Sequence, residues 1–297
     1  MDNVKSESQT KFREKMWLSL RYEYLREFFN KKNIAFVVVF TIFTGLVLFI
    51  LNVQLTETFS QAKADEWIYF VGDVGLAFFA GIIGIGVSSY LGGQLLSKDL
   101  KNGSIRLINS YPISRKSIYI SRIINGGLLY LPLSIGISLV VVSVGTLMGF
   151  ARLGYSLMDH IGLYFRTVFA MIIIMFMVGF LAAMMANLFG IIFGSETQGI
   201  VLSVVILAFG DIVVTILASI VPNWHLEVLS ITYHRTKIYE YLLQVSGTTD
   251  SQRGFERVNI YQSAHIGFPI SSFVAVVVFP FILAYLGYIK FKRMDLE

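Results

Sequence analysis

The chain contains no cysteine, and few of its residues are charged. Without cysteine it can form neither a disulfide bond nor a thiolate metal site. Asp, Glu, Lys and Arg make up only 14% of its 297 residues, whereas hydrophobic residues make up 55%. This balance, with a mean hydropathy of +0.68, excludes an ordinary soluble domain and indicates an integral membrane protein.

Several enzyme motifs are also missing. The sequence has no Gly-x-x-x-x-Gly-Lys-[Ser/Thr] loop for ATP, no His-Glu-x-x-His and no Asp-x-x-x-Asp pair. The four histidines have no standard metal-ligand spacing and fall outside the apolar segments, so we expect them at the surface or the membrane interface: His160, His225, His234 and His265. We therefore predict no catalytic residue, no metal site and no cofactor on this chain.

Long apolar segments dominate what is present. A hydrocarbon core of about 30 Å needs roughly 20 apolar residues, and backbone groups in lipid must be satisfied within a helix. The sequence predicts six transmembrane helices: Ile34–Leu51, Val74–Leu96, Ile123–Phe150, Ile161–Ala186, Gly199–Val221 and Phe268–Ile289. The predicted fold is an all-α integral membrane protein.

Lys and Arg are unevenly distributed between the two sides of these spans. Seventeen of the 24 fall in the N-terminal segment, the loop between the second and third spans, and the C-terminal tail. Since Lys and Arg mark the cytoplasmic side, we expect both termini in the cytoplasm. The positive charge then reflects topology and not a nucleic-acid partner.

The predicted organisation has three parts. Residues 1–33 form a cytoplasmic segment with an amphipathic helix lying in the membrane interface, 34–289 form the six-span domain, and 290–297 form a cytoplasmic tail. Within the domain, the cytoplasmic loop is 97–122. Residues 222–267 form an extracytoplasmic segment, which we expect to be a small cap of short helices.

Two features inside the spans have more than one interpretation. Asp211 is the one ionisable residue near the middle of a predicted span, and it could make a structural polar contact, with Arg166 as a candidate partner, or line a transport path. Small residues recur every four positions at Ala80, Gly84, Ser88 and Gly92, and again in the fourth span. Such a stripe allows close helix packing, either within the chain or against a second copy.

The loop 97–122 has an unusual order of residues for a solvated linker. Asp99 precedes Gly103-Ser104, an apolar stretch follows, and Pro112-Ile113-Ser114-Arg115 leads into a basic run. Gly103 permits a turn, Pro112 breaks the helix, and Ser114 can cap a helix that begins at Arg115. These residues predict a rigid helix–turn–helix that transmits force from a partner protein.

This pattern resembles the permease subunits of ABC transporters of the type-2 exporter family. Asp99 stands at the family's acidic position, Gly103-Ser104 at its Gly-Thr, and Pro112–Arg115 at its Pro-(Val/Ile)-Ser-Arg turn. The brief loop Gly194-Ser195-Glu196-Thr197 and the order of the spans also match the family. The Ser-Tyr-Pro-Ile-Ser-Arg variant most resembles the copper-enzyme-maturation subgroup.

The resemblance implies a permease in the plasma (cytoplasmic) membrane that exports an unidentified substrate. Its partners would be a separate P-loop ATPase, which carries the ATP and Mg, and a second permease copy or paralogue. The residues that would couple to the ATPase are Asp99, Gly103, Ser104, Pro112, Ser114, Arg115, Glu196 and Thr197. Asp211 would lie close to the translocation path.

Two other functions are compatible with the residues. An ATPase-coupled mechanical transducer or scaffold would act on envelope proteins without moving a solute, with residues 222–267 as its contact surface. An intramembrane enzyme with an unfamiliar site around Asp211 would turn over a substrate without any ATPase.

Overall fold

The computed structural model describes residues 63–101, 114–221, 224–250, 258–263 and 265–294, together with Val39 and Ile42. The predicted N-terminal interfacial helix lies outside the described residues, as does the first span Ile34–Leu51 apart from those two positions. Gly103, Ser104 and Pro112 of the predicted coupling loop also lie outside them. Asp99 falls in the last turn of a described helix.

The described residues are mostly helical. The α-helices of this part of the chain are α1 Ala64–Phe79, α2 Ile82–Lys101, α3 Arg115–Leu153, α4 Ile161–Phe193, α5 Glu196–Val204, α6 Gly210–Ile220, α7 Ile231–Leu243, α8 Ile270–Phe273 and α9 Phe279–Lys292. Short 3₁₀ turns occupy Leu157–His160 and Leu226–Leu229, and π-helical turns at Val205–Phe209 and Val274–Val278 join α5 to α6 and α8 to α9. Strands β1 Val245–Asp250 and β2 Val258–Ser263 form an antiparallel hairpin, with Val245 opposite Ser263.

The helices run between two ends of one bundle. The "Ser114 end" holds the start of α3, the finish of α2 and α4, and the finish of α9, because Leu96, Tyr119, Ile191 and Phe291 form one buried cluster there. The "His160 end" holds the start of α1 and α4, since His160 lies 2.7 Å from the Asp65 carboxylate. Helices α3 and α4 therefore cross the whole bundle, since the ring of Phe150 near the end of α3 lies 5.7 Å from that of His160.

Among the residues that the structure describes, four helical stretches are long and apolar enough to cross a membrane, and a bent pair raises the number to five: 115–153, 157–193, 196–220, 270–292 and the pair 64–79 with 82–94. The third and fourth predicted spans fall within the first two stretches, the fifth and sixth overlap the other two but extend one or two residues beyond them, and the second overlaps the pair. At about 1.5 Å per residue, the 39-residue α3 is about 58 Å long, so it extends well beyond a hydrocarbon core of about 30 Å.

The second predicted span is broken in two. The axes of α1 and α2 differ by 47° across the short turn at Ala80 and Gly81. Helix α1 begins ten residues before the predicted start, because the Glu66 carboxylate accepts from the Lys63 backbone N–H at 3.2 Å and stabilises the first turn. Asp65 and Glu66 in that turn lower the local hydropathy, so a hydropathy window does not detect the start of α1.

Gly92 of the small-residue stripe, and the neighbouring Gly93, pack within the chain. A Cβ added at Gly92 would collide with the backbone of Ala183 on α4, and one at Gly93 would reach Ile200 on α5 at 2.6 Å. Between them, the hydroxyls of Ser89 and Ser203 hydrogen-bond at 2.9 Å in the interior. Close contact among α2, α4 and α5 therefore explains these glycines.

The segment 222–267 differs from the expected cap of short helices. It includes the hairpin of β1 and β2, and its main helix, α7, is not a separate cap but packs against the transmembrane helices. One face of α7 is buried: His234, Arg235, Ile238, Tyr239, Glu240 and Leu243. This burial places polar and charged side chains inside the bundle.

Candidate functional site

The Pro-Ile-Ser-Arg turn ends at the cap of α3. Ser114 has an extended backbone, and its hydroxyl accepts from the Ser117 backbone N–H at 3.2 Å. The helix begins at Arg115, where the sequence predicted it, and continues without interruption into the span. A force applied to the loop before Ser114 would act directly on the end of a 39-residue helix.

The second predicted coupling element lies at the same end of the bundle. Helix α4 stops at Gly194, whose φ of 64° is readily adopted by glycine, and Ser195 caps α5 by accepting from the Gln198 backbone N–H. Glu196 and Thr197 form the first turn of α5, and Thr197 is exposed.

Tyr119 joins the helices at this end. Its ring is 2% exposed and stacks on Phe291 with ring centroids 5.8 Å apart. Its hydroxyl donates to the Ala284 carbonyl at 2.7 Å and lies 3.5 Å from the Asn187 amide nitrogen. Side chains from α3, α4 and α9 therefore meet just inside the two predicted coupling elements.

Asp211 anchors the start of α7. Its Oδ1 accepts from the Ser230 hydroxyl at 2.6 Å and from the Thr232 backbone N–H at 3.0 Å, and its Oδ2 accepts from the Thr232 hydroxyl at 2.7 Å. Ser230 is the N-cap of α7, so the carboxylate faces unsatisfied N–H groups and the positive end of the helix dipole. These partners replace Arg166 as the contacts of Asp211.

Arg235 binds the break between α1 and α2. Its guanidinium is buried and donates to the Leu76 carbonyl at 2.9 Å. The same carbonyl accepts from the Ala80 backbone N–H, at the C-terminal end of α1. A cation at this position stabilises the negative end of the α1 helix dipole, and the Leu76 carbonyl accepts a second hydrogen bond from it.

Tyr239 makes a second contact between α7 and α1, one helical turn after Arg235. Its hydroxyl donates to the Tyr69 carbonyl at 2.8 Å. Gly72 leaves the space for it, since a Cβ there would collide with the Tyr239 hydroxyl. Helix α7 is therefore fixed along the length of α1.

Three of the four histidines lie at the surface or are partly exposed, and His234 is buried. Its Nδ1 hydrogen-bonds with the buried Ser272 hydroxyl at 3.1 Å, near the start of the last span. Burial lowers the pKa of His234 below its ordinary value, against the opposing effects of the Val228 backbone and the Asp211 charge. The neutral imidazole is therefore favoured here, contrary to the expectation of a surface histidine.

Within the described ranges, no three His, Asp or Glu side chains come together as a metal site would require. The polar groups around α7 instead hydrogen-bond with each other and with backbone carbonyls. The chemistry of this site is the attachment of one helix to several spans.

The sequence alone does not predict the contacts of Arg235, His234 and Tyr119. Arg235 is one of the seven Lys and Arg residues that fall outside the N-terminal segment, the loop and the tail. Helical spacing could have revealed it, because Arg235 falls four residues after Ile231 and three before Ile238, on the apolar face of α7. Tyr119 gave no signal, since an aromatic residue near a membrane boundary is common.

Comparison with known protein families agrees with this architecture. No curated protein shows significant similarity to the chain. A family model described as ABC-2 family transporter protein matches residues 19–296, which is nearly the full length. With its apolar helices, the protein is a multi-pass membrane component of an ABC transporter, and the chain belongs to the ABC-2 family of transporter proteins.

Proposed function

We propose that this chain is a permease subunit that exports a substrate with energy from a separate ATPase docked at the Ser114 end. The observation that supports this best is the placement of two sequence-distant elements, Ser114–Arg115 and Gly194–Thr197, at one end of the bundle. An ATPase bound there would contact the ends of α3, α4 and α5 together. Asp99, Gly103, Ser104 and Pro112 would complete the docking surface.

The same proposal assigns the Ser114 end to the cytoplasm and the membrane to the plasma membrane. The excess of Lys and Arg on the segments at this end supports the orientation. Asp211, with its hydroxyl-rich surroundings, would lie beside the translocation path and would hold α7 in place during transport. The proposal does not extend to the identity of the substrate or to the copper-enzyme-maturation subgroup.

A second permease copy or paralogue would pack against the fifth span. In 196–220, only 17% of the most apolar 18-residue stretch is buried within the chain, whereas in 157–193 the buried share of the corresponding stretch is 67%. Its exposed face is lined by large side chains such as Phe209, Val213 and Ile216. A partner helix would cover this face, with lipid on the remainder.

Co-purification tests the proposal. The full chain, extracted in a mild detergent, should retain a P-loop ATPase in about equal amount. Arg115→Gln should reduce that retention, because Arg115 lies at the docking end, whereas Arg152→Gln at the other end of α3 should leave it unchanged. Reproducible absence of an ATPase from the wild type, or equal retention by the two variants, would contradict the proposal.

A further inference from the structure

Hydrogen bonds join the C-terminal end of the last span to the start of α3. The Arg115 guanidinium donates to the Lys292 carbonyl at 3.3 Å and to the Met294 carbonyl at 3.1 Å. Helix α9 finishes at Lys292, where carbonyl groups lack helical partners and carry the negative end of the dipole. Arg115 therefore closes the C-terminus of the last span from the first residue of α3.

One turn deeper, Tyr119 makes a second attachment in the interior. Its hydroxyl donates to the Ala284 carbonyl, and its ring contacts Phe291 and Tyr288, with centroids 5.8 and 5.6 Å apart. Gly287 lies directly under the hydroxyl: an added Cβ would collide with Tyr119 Oη, whereas Tyr119 Cζ lies 3.4 Å away. The hydroxyl, more than the ring, thus requires glycine at position 287.

The other end of the same span reaches α7. Ser272 hydrogen-bonds with His234, and the neighbouring Arg235 holds the break after α1. The last span thus contacts the start of α3 at one end and α7 at the other. The span also packs against α4, where the ring centroids of Phe180 and Phe281 lie 5.8 Å apart, and 33% of its most apolar stretch is buried in the chain.

We propose that Arg115 and Tyr119 fasten the last span to α3, so that ATPase-driven movement of the coupling loop is delivered to the last span. Tyr119 is a positioning residue, and its hydroxyl sets the distance between the two helices. This inference rests on the proposed function for the source of the movement. The attachment itself is made entirely by residues of this chain and can be tested without a partner protein.

A substitution cycle tests the attachment without an ATPase. Gly287→Ala should loosen the α3–α9 contact, since its Cβ meets the Tyr119 hydroxyl, and Tyr119→Phe should restore the contact in the double variant. Amide hydrogen exchange over 284–292 measures this. We expect exchange about three- to tenfold faster in each single variant, in line with one lost hydrogen bond, and a smaller change in the double variant than the sum. Additive effects would overturn the proposed contact.

The delivery of movement is tested in the complex with its co-purified ATPase. The chain has no cysteine, so Lys290→Cys provides one exposed thiol near the end of the last span. Its rate of reaction with a maleimide should change when a non-hydrolysable ATP analogue is added. Tyr119→Phe should reduce that change, because only the Arg115 attachment and the ring contacts remain, whereas Tyr288→Phe, which removes a hydroxyl from the neighbouring ring, should keep it.

The possible failures are distinct. If the wild type responds to nucleotide and Tyr119→Phe responds equally, this inference is wrong while the proposed function stands. If no ATPase is recovered with the wild type, or bound nucleotide has no effect on it, the proposed function and the delivery of movement both fail, whatever amide exchange shows for the attachment.

Discussion

Replacing Asp211 with asparagine tests whether its carboxylate holds the start of α7. The carboxylate accepts three hydrogen bonds, at 2.6, 3.0 and 2.7 Å. Asparagine can keep the two at the Oδ1 position in neutral form, but its amide nitrogen cannot accept from the Thr232 hydroxyl. Hydrogen bonds to a charged group contribute about 1.5–3 kcal/mol and neutral ones about 0.5–1.5 kcal/mol. Loss of the charge at the helix N-terminus adds about 0.3–1 kcal/mol.

Asp211 is only half-buried, so the lower part of these ranges applies and the expected loss is about 1–2 kcal/mol. Since about 1.4 kcal/mol is a tenfold change in an equilibrium, the amides of 231–234 should exchange about five- to thirtyfold faster. Hydrogen exchange with mass spectrometry measures this in nanodiscs. Asp159→Asn is the matched control, because Asp159 is an exposed carboxylate in the 3₁₀ turn Leu157–His160, outside α7.

The outcome tests the structural interpretation of Asp211. A structural anchor predicts faster exchange that is confined to α7 and its neighbours, and a larger effect for Asp211→Ala. If the α7 amides exchange as slowly in Asp211→Asn as in Asp159→Asn, the Asp211 carboxylate does not hold α7, and its three hydrogen bonds contribute no measurable stability there.

Three further predictions follow from the packing. Gly92→Ala should destabilise the protein by about 1–3 kcal/mol in thermal unfolding, because the added Cβ meets the Ala183 backbone. Gly86→Ala, with open space around it, should be neutral or stabilise the protein by about 0.5–1 kcal/mol. Equal effects of the two substitutions would contradict the α2–α4 contact. Arg235→Gln should speed amide exchange at the C-terminal end of α1 about tenfold or more, since a buried charged donor is lost, and unchanged exchange would contradict its role at the break. The folded state lowers the pKa of His234, so protonation of His234 at low pH favours the unfolded state. Protection of the α7 amides, corrected for intrinsic exchange, should therefore be constant above about pH 6.5 and fall as the pH drops below it. His234→Gln should remove this pH dependence, and a dependence that persists would assign it to another group.

Hydropathy predicted the last four spans well because their apolar stretches are long. The start of α3 was also predictable, because Ser114 follows a proline turn and has the side chain of a good N-cap. Both signals are local in the sequence. They need no knowledge of what the helix packs against.

The break between α1 and α2 and the burial of α7 were not predictable in this way. Val74–Leu96 contains no charged residue and reads as one span, and the break after Phe79 is stabilised by Arg235, which lies more than 150 residues away in the sequence. Asp211 was recognised as unusual, but its partners lie in a segment that looked like an outer loop. Tertiary contacts decide these features, and a hydropathy window does not include them.

The central claim is that an ATPase docks at the Ser114 end, and crosslinking from single cysteines tests it most directly. A photoreactive maleimide is attached to Thr197→Cys, exposed in the first turn of α5, or to Met158→Cys, which is 74% exposed at the opposite end. Our account predicts an adduct with a P-loop ATPase from Thr197→Cys and none from Met158→Cys. An adduct from Met158→Cys alone, or from neither position in a complex that retains the ATPase, would contradict it.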